Sequence, residues 1–151
     1  MNNEELKLKL SGFFPLASFE ASTDWITISI EPTEIRSTAL QIRNTAGLDF
    51  DYLFCLTCID WKTHFTMVYH FNSTIHRHSM VIKAKLDRNL PEIESLSDIW
   101  QTAEFHEREV YDLFGVKFLN HPDLRRLFMT DDWEGWPLRK DYEDAVNMIK
   151  L

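Results

Sequence analysis

Phe50-Asp51-Tyr52-Leu53-Phe54-Cys55-Leu56-Thr57-Cys58-Ile59-Asp60-Trp61, then Phe65-Thr66-Met67-Val68-Tyr69-His70-Phe71-Asn72, then His78-Ser79-Met80-Val81-Ile82-Lys83-Ala84-Lys85-Leu86: these three runs decide the fold. Each is rich in aromatic and β-branched residues, which fit a pleated, half-buried surface. The connectors Lys62-Thr63-His64 and Ser73-Thr74-Ile75-His76 are short enough for hairpins. From Val81 to Leu86 every second residue turns polar, as in an edge strand or one exposed on a single face. Upstream, Trp25-Ile26-Thr27-Ile28-Ser29-Ile30 alternates apolar and hydroxyl residues and reads as another strand, stopped by Pro32.

Helices flank these strands. Glu4 to Ser11 is helix-like, although Leu6, Leu8 and Leu10 also permit a strand. Thr33 is placed to cap a helix whose stripe is Ile35, Ala39, Leu40, Ile42 and Ala46, with Gly47 as its stop. After Pro91, Ser97 or Asp98 can cap a longer helix, Ile99 to Phe114, ended by Gly115. Ile99, Ala103, His106, Val110, Leu113 and Phe114 fall on one of its faces. The resulting order, helix–strand–strand–helix–strand–strand–strand–helix, gives an α+β fold with helices packed on a mixed sheet. The helix after the Trp25 strand permits a crossover to a parallel neighbour.

The chain has 151 residues, 44% of them hydrophobic and 26% charged, which excludes a disordered polypeptide and suits one domain with an arm. Sixteen basic against 24 acidic residues leave a net charge of -8, which opposes binding to nucleic acid or to anionic lipid. No signal peptide is visible at the N-terminus. The charge-free stretch from Tyr52 to Ile59 is far shorter than the ~20 residues a membrane-spanning helix needs, so no direct membrane insertion is expected.

Cys55 and Cys58 form a CxxC pair, but on a strand positions i and i+3 point to opposite faces. Both are therefore expected to be core cysteines rather than a redox or zinc pair. The six histidines have no carboxylate at ligand spacing and are expected on the surface or in turns. No phosphate-binding glycine loop and no Ser/His/Asp grouping stand out, so neither a catalytic residue nor a metal ligand is expected.

Glu104, Arg108 and Asp112 are spaced to share one helix face as an alternating ion ladder, whereas Glu107 and Glu109 are separated by about 200° and cannot act as a carboxylate pair. Asn120 to Asp144 then mixes Pro, Asp, Arg and Trp without periodicity. A core of residues 1–118 and a docking arm of residues 119–151 follow. The arm's aromatic and Arg anchors are of the kind protein interfaces use, and it is expected to order only on docking. A chain ended after Leu119 is accordingly expected to keep a folded core.

Glu107-Arg108-Glu109-Val110-Tyr111-Asp112-Leu113-Phe114-Gly115-Val116, with His121-Pro122-Asp123-Leu124-Arg125-Arg126-Leu127, resembles the signature of the C subunit of NADH-quinone oxidoreductase, respiratory complex I, the 30 kDa subunit family. Glu134-Gly135-Trp136-Pro137-Leu138-Arg139-Lys140-Asp141-Tyr142 resembles the second motif of that family, and Leu56-Thr57-Cys58-Ile59-Asp60-Trp61 is also similar. The resemblance implies a non-catalytic subunit on the cytoplasmic face of the bacterial inner membrane. It would bind no cofactor itself, with NADH, FMN, iron-sulfur clusters and quinone held by other subunits. It would brace the large quinone-site subunit (D type) and the cluster-bearing B and I types. The implied subunit interface is Glu107, Arg108, Glu109, Asp112, Phe114, His121, Pro122, Asp123, Leu124, Arg125, Arg126, Trp133, Glu134, Trp136, Pro137, Leu138, Arg139, Lys140, Asp141 and Tyr142. Trp136 stands where histidine or another residue is commoner in the family, and the chain ends soon after Tyr142, which reduces the contacts expected beyond it. The alternative hosts are an energy-converting membrane-bound nickel-iron hydrogenase and a coenzyme F420 dehydrogenase. The rival from another class is a free-standing enzyme using Cys55 and Cys58.

Overall fold

The computed structural model describes residues 2–20 and 24–144; residues 145–151 of the expected arm lie outside the described residues. Helix α1 (Asn3–Phe13) opens on a capping box: the Asn2 side chain accepts from the Glu5 amide while Glu5 reaches back to the Asn2 amide. Its Leu6 and Leu10 are buried, one turn apart. This settles Glu4 to Ser11 as helix.

Strands β1 (Ser18–Phe19) and β2 (Ile26–Ile30) pair antiparallel. A 3-10 turn over Pro32–Glu34 leads into α2 (Ile35–Asn44). Thr33 lies inside that turn and no side chain caps α2. The buried face of α2 is Ile35, Thr38, Ala39 and Ile42; Leu40 faces outward and Ala46 lies beyond the helix end.

The three decisive runs are β3 (Tyr52–Asp60), β4 (His64–Ser73) and β5 (His78–Asp87), joined antiparallel in sequence. The sheet order is β1-β2-β5-β4-β3. The β2–β5 pair is parallel, so the sheet is mixed as expected, but the crossover carries β3 and β4 to the far side before β5 returns. β5 is therefore interior, and its polar alternation reflects one exposed face rather than an edge.

The helices cover one sheet face. Phe65, Met67, Tyr69 and Phe71 of β4 and Met80, Ile82, Ala84 and Leu86 of β5 enter a single core with Leu6, Leu10, Ile35 and Ile42. Trp100 closes the core, its indole donating to the Phe50 carbonyl at 3.0 Å. A short parallel pair, β6 (Glu92–Glu94) and β7 (Lys117–Leu119), brackets helix α3 (Ala103–Phe114).

α3 starts four residues later than the sequence suggests. Residues 97–102 form turns in which Asp98 pairs with Arg36 of α2 and the Thr102 hydroxyl donates to the Leu53 carbonyl. Of the two candidate caps, Asp98 is thus held by α2 and Ser97 faces the Ser95 hydroxyl at 2.8 Å, and β1, β6 and β7, each two or three residues long, carry no periodic signal of their own.

Candidate functional site

The motif-bearing residues lie on α3 and on the segment after β7. The C-terminal end of α3 is set locally: Gly115 closes it at φ 77°, a left-handed cap that glycine adopts without strain. The ion ladder expected along it is not formed. Arg108 donates instead to the backbone carbonyls of Arg125 (3.3 Å) and Arg126 (3.2 Å), with its guanidinium over the Phe105 ring. Asp112 turns to the tail. One carboxylate oxygen receives the amides of Leu127, Phe128 and Met129 at 3.2, 2.6 and 3.1 Å, and the other receives the Arg126 guanidinium at 3.2 Å.

Physically, this is an anion seated in a nest of consecutive backbone amides and closed by a cation. Asp112 is fully buried, so the tail supplies the partners that make burial of its charge tolerable. Arg126 also donates to the Gly135 carbonyl and lies 4.4 Å from the Trp136 ring centroid. Trp136 packs against Tyr111 and over Gly115, where an added Cβ would come within 2.6 Å of the indole. The position that caps α3 therefore also admits the tail's tryptophan.

A second attachment lies at the end of β3. Asp60 is buried and accepts from the amides of Lys62 (2.7 Å) and Lys140 (2.8 Å) and from Arg88 (2.8 Å), which in turn pairs with Asp141. Burial works against the Asp60 charge, but the Lys140 and Lys62 amides and Arg88 outweigh it and hold its pKa below the usual value. Between these points the Leu138 amide donates to the Leu113 carbonyl, and Arg139 donates to the Phe114 carbonyl at 2.6 Å. The sequence does not point to Asp60 and Arg88 as participants. Their partners are up to 80 positions away, and no local spacing announces such a contact.

The expected interface residues divide by exposure. Glu107, Arg108, Asp112 and Phe114 are buried within the chain. His121, Leu124, Arg126, Trp133, Trp136, Pro137, Arg139 and Tyr142 are half-buried against it. Glu109, Pro122, Asp123, Arg125, Glu134, Leu138, Lys140 and Asp141 face outward. Between them protrude two aromatic residues outside that set, Phe105 (59% exposed) and Phe128 (62%), close in exposure to Leu138 (53%). Each is fixed to α3: Phe105 belongs to it, the Phe128 amide binds Asp112, and the Leu138 amide binds Leu113.

Cys58 is buried on the core side, and burial, with Asp60 nearby, pushes its thiol up to about 12. Cys55 lies on the opposite face beside His70 of β4, only half-buried, and so is not a core residue. Of the histidines, His78 is buried with its ring on the Leu48 carbonyl, and His76 pairs with Asp49 at 2.7 Å; both depart from the expectation of surface histidines without carboxylate partners. Among the described residues no three His, Cys, Asp or Glu side chains converge as a metal site, and no helix is long and apolar enough to cross a membrane.

The comparisons with known proteins fit this arrangement. The family described as respiratory-chain NADH dehydrogenase, 30 Kd subunit, matches residues 28–146, which contain most of the sheet from β2 onward, α3 and the described tail. The chain belongs to this 30 kDa subunit family. It is 34% identical over 147 residues to the NADH-quinone oxidoreductase C subunit of Roseiflexus castenholzii, covering 93% of the chain and 84% of that protein. Over 126 residues it is 43% identical to the NADH-quinone oxidoreductase C/D subunit of Phocaeicola vulgatus, covering 82% of the chain.

The chain spans only about a quarter (24%) of that C/D protein, and half (50%) of the C subunit of Chloroherpeton thalassium, to which it is 41% identical. The trypsin-resistant fragment of Nqo5 has the same fold, with a TM-score of 0.70 at 22% identity, covering 82% of this chain and all of the fragment. A chain of an archaeal membrane-bound sulfane sulfur reductase does so with a TM-score of 0.80 at 23% identity, covering 94% and 86% of the two chains.

Proposed function

We propose that this chain is the C-type subunit of a proton-translocating NADH-quinone oxidoreductase, carrying no redox centre and bracing the peripheral arm against the large quinone-site subunit. The observation that carries this reading is the 34% identity extending over nearly the full length of the Roseiflexus C subunit. Fusion of the C and D regions in the Phocaeicola relative supports a D-type subunit as the principal partner, with the cluster-bearing B and I types as further neighbours. In this reading the complex lies on the cytoplasmic face of the inner membrane, and NADH, FMN, the iron-sulfur clusters and quinone are handled by the other subunits.

The docking surface is the outward side of the α3–tail unit. Phe105, Phe128 and Leu138 serve as apolar anchors, with Arg125, Asp123, Glu134, Lys140 and Asp141 as the polar rim. Arg108, Asp112, Arg126, Trp136 and Arg139 shape that surface from within. The boundary near residue 119 separates a sheet-bearing core from this docking segment. Purification through a tag on this chain, followed by mass spectrometry, tests the assignment. NADH-dehydrogenase and quinone-site subunits should co-purify, whereas a nickel-ligating large subunit in their place would assign the chain to a hydrogenase-type host.

A further inference from the structure

Glu107 presents a different kind of site. It projects from α3 into the interior, its side chain fully enclosed. One oxygen accepts from the Leu96 amide at 2.7 Å and the other from the Ser95 hydroxyl at 2.6 Å. Ser95 Oγ lies 2.8 Å from the hydroxyl of Ser97, a half-exposed residue, and accepts the Ser97 amide at 3.1 Å. Among the described residues no lysine or arginine pairs with the carboxylate. The His121 ring lies 3.9 Å away. His121 is itself engaged by the backbone, its Nδ1 with the Asp123 amide at 3.0 Å and its Nε2 with the Glu104 carbonyl at 3.0 Å. The other groups bearing on Glu107 are Glu104 on its own helix, Asp98 in the preceding turn (itself held by Arg36) and the buried Tyr69 of β4; none of these carries a positive charge.

We infer that Glu107, Ser95 and Ser97 form a proton-exchange site, in which the buried carboxyl group takes up and releases one proton through a reversible chain of two hydroxyls. With Glu107 ionised, the Ser97 hydroxyl donates to Ser95 and Ser95 donates to Glu107. When Ser97 receives a proton from solvent, its own hydroxyl proton passes to Ser95 and the Ser95 proton passes to Glu107. The hops themselves reverse the chain without any hydroxyl rotating: Glu107 now donates to Ser95, Ser95 to Ser97, and Ser97 to solvent, and release of the proton runs the same steps backwards. In each state Ser95 Oγ accepts two hydrogen bonds and donates one, so neither state leaves a buried polar atom without a partner. Arg36 keeps the turn in register through Asp98 and the Ser95 carbonyl. Burial, opposed by the Ser95 and Leu96 donors, raises the Glu107 pKa to about 7, which places the exchange near neutrality. The inference stands independently of the docking role.

The two serines make opposite predictions, which separates a relay from simple burial. Ser95→Ala removes the donor to the carboxylate and should raise the midpoint. Ser97→Ala removes the acceptor that Ser95 needs in the protonated state and should lower it, while slowing exchange with solvent. Carboxyl-carbon NMR of the intact, glutamate-labelled chain, with Glu107 assigned by backbone correlation, reads both effects with the carboxyl group itself in place. One carboxyl titrating at about 7, with the serine variants shifted in opposite directions, is the expected result. A midpoint in the ordinary carboxylate range, or serine variants shifted together or not at all, overturns the relay.

Discussion

Asp112 shows how one residue can decide whether a segment is an arm or part of a domain. Its charge is buried, and four groups of the tail answer it: the amides of Leu127, Phe128 and Met129 and the Arg126 guanidinium. Asp112→Ala leaves Arg126 and three amides without their acceptor. Losing one side of such a buried pair costs roughly 3–5 kcal/mol, and the loss should be measurable by urea unfolding, together with faster tryptic cleavage after Arg125 and Arg126. Arg108→Ala should cost less, about 1.5–3 kcal/mol, because its partners are two backbone carbonyls and no carboxylate is stranded. The cysteines provide a separate check at this scale. With its thiol pushed up to about 12, Cys58 should resist alkylation near neutral pH until the chain unfolds. Half-buried Cys55, its thiol also raised by burial, should react slowly but first, as peptide mapping after iodoacetamide would show.

At the scale of elements, β2, β3, β4, β5 and the body of α3 are legible in the sequence because their hydrophobic periodicity is local and strong. The start of α3 is not. The two candidate caps, Ser97 and Asp98, are ordinary cap residues, but a partner 62 positions away in α2 takes Asp98, and Ser97 faces Ser95. The same holds for the tail. Its sequence has no period because it folds by single attachments, to Asp112, Leu113, Phe114, Asp60 and Arg88, rather than by presenting a repeated face. The family resemblance marks a set of residues, while their division into buried and exposed ones is visible only in three dimensions. One expectation changes accordingly. On sequence grounds, ending the chain after Leu119 leaves the core folded. In the structure, that truncation strands Asp112 and removes His121 from beside Glu107. The truncated domain should therefore lose roughly 3–5 kcal/mol of stability, seen as a lower thermal midpoint than that of the full chain.

For the whole molecule, the α3–tail surface combines protruding apolar groups with a backbone anchored to one helix. Phe105, Phe128 and Leu138 are more than half exposed, yet their backbones are fixed along a single helix. Rigid, exposed apolar groups of this kind lose little conformational entropy on association, which is what an interface anchor requires. They also contribute little to the fold, since surface substitutions away from special contacts fall within about 0.5 kcal/mol. Replacing all three by Ser should therefore leave the thermal midpoint of the isolated chain nearly unchanged while abolishing its co-purification with the quinone-site subunit proposed as its partner. NADH oxidation by artificial acceptors should persist in the remaining subassembly, and electron delivery to quinone should fall. If the triple variant assembles in normal yield, the anchors lie elsewhere, and the uncovered sheet face with Trp25, Tyr52 and Phe54 becomes the surface to test next.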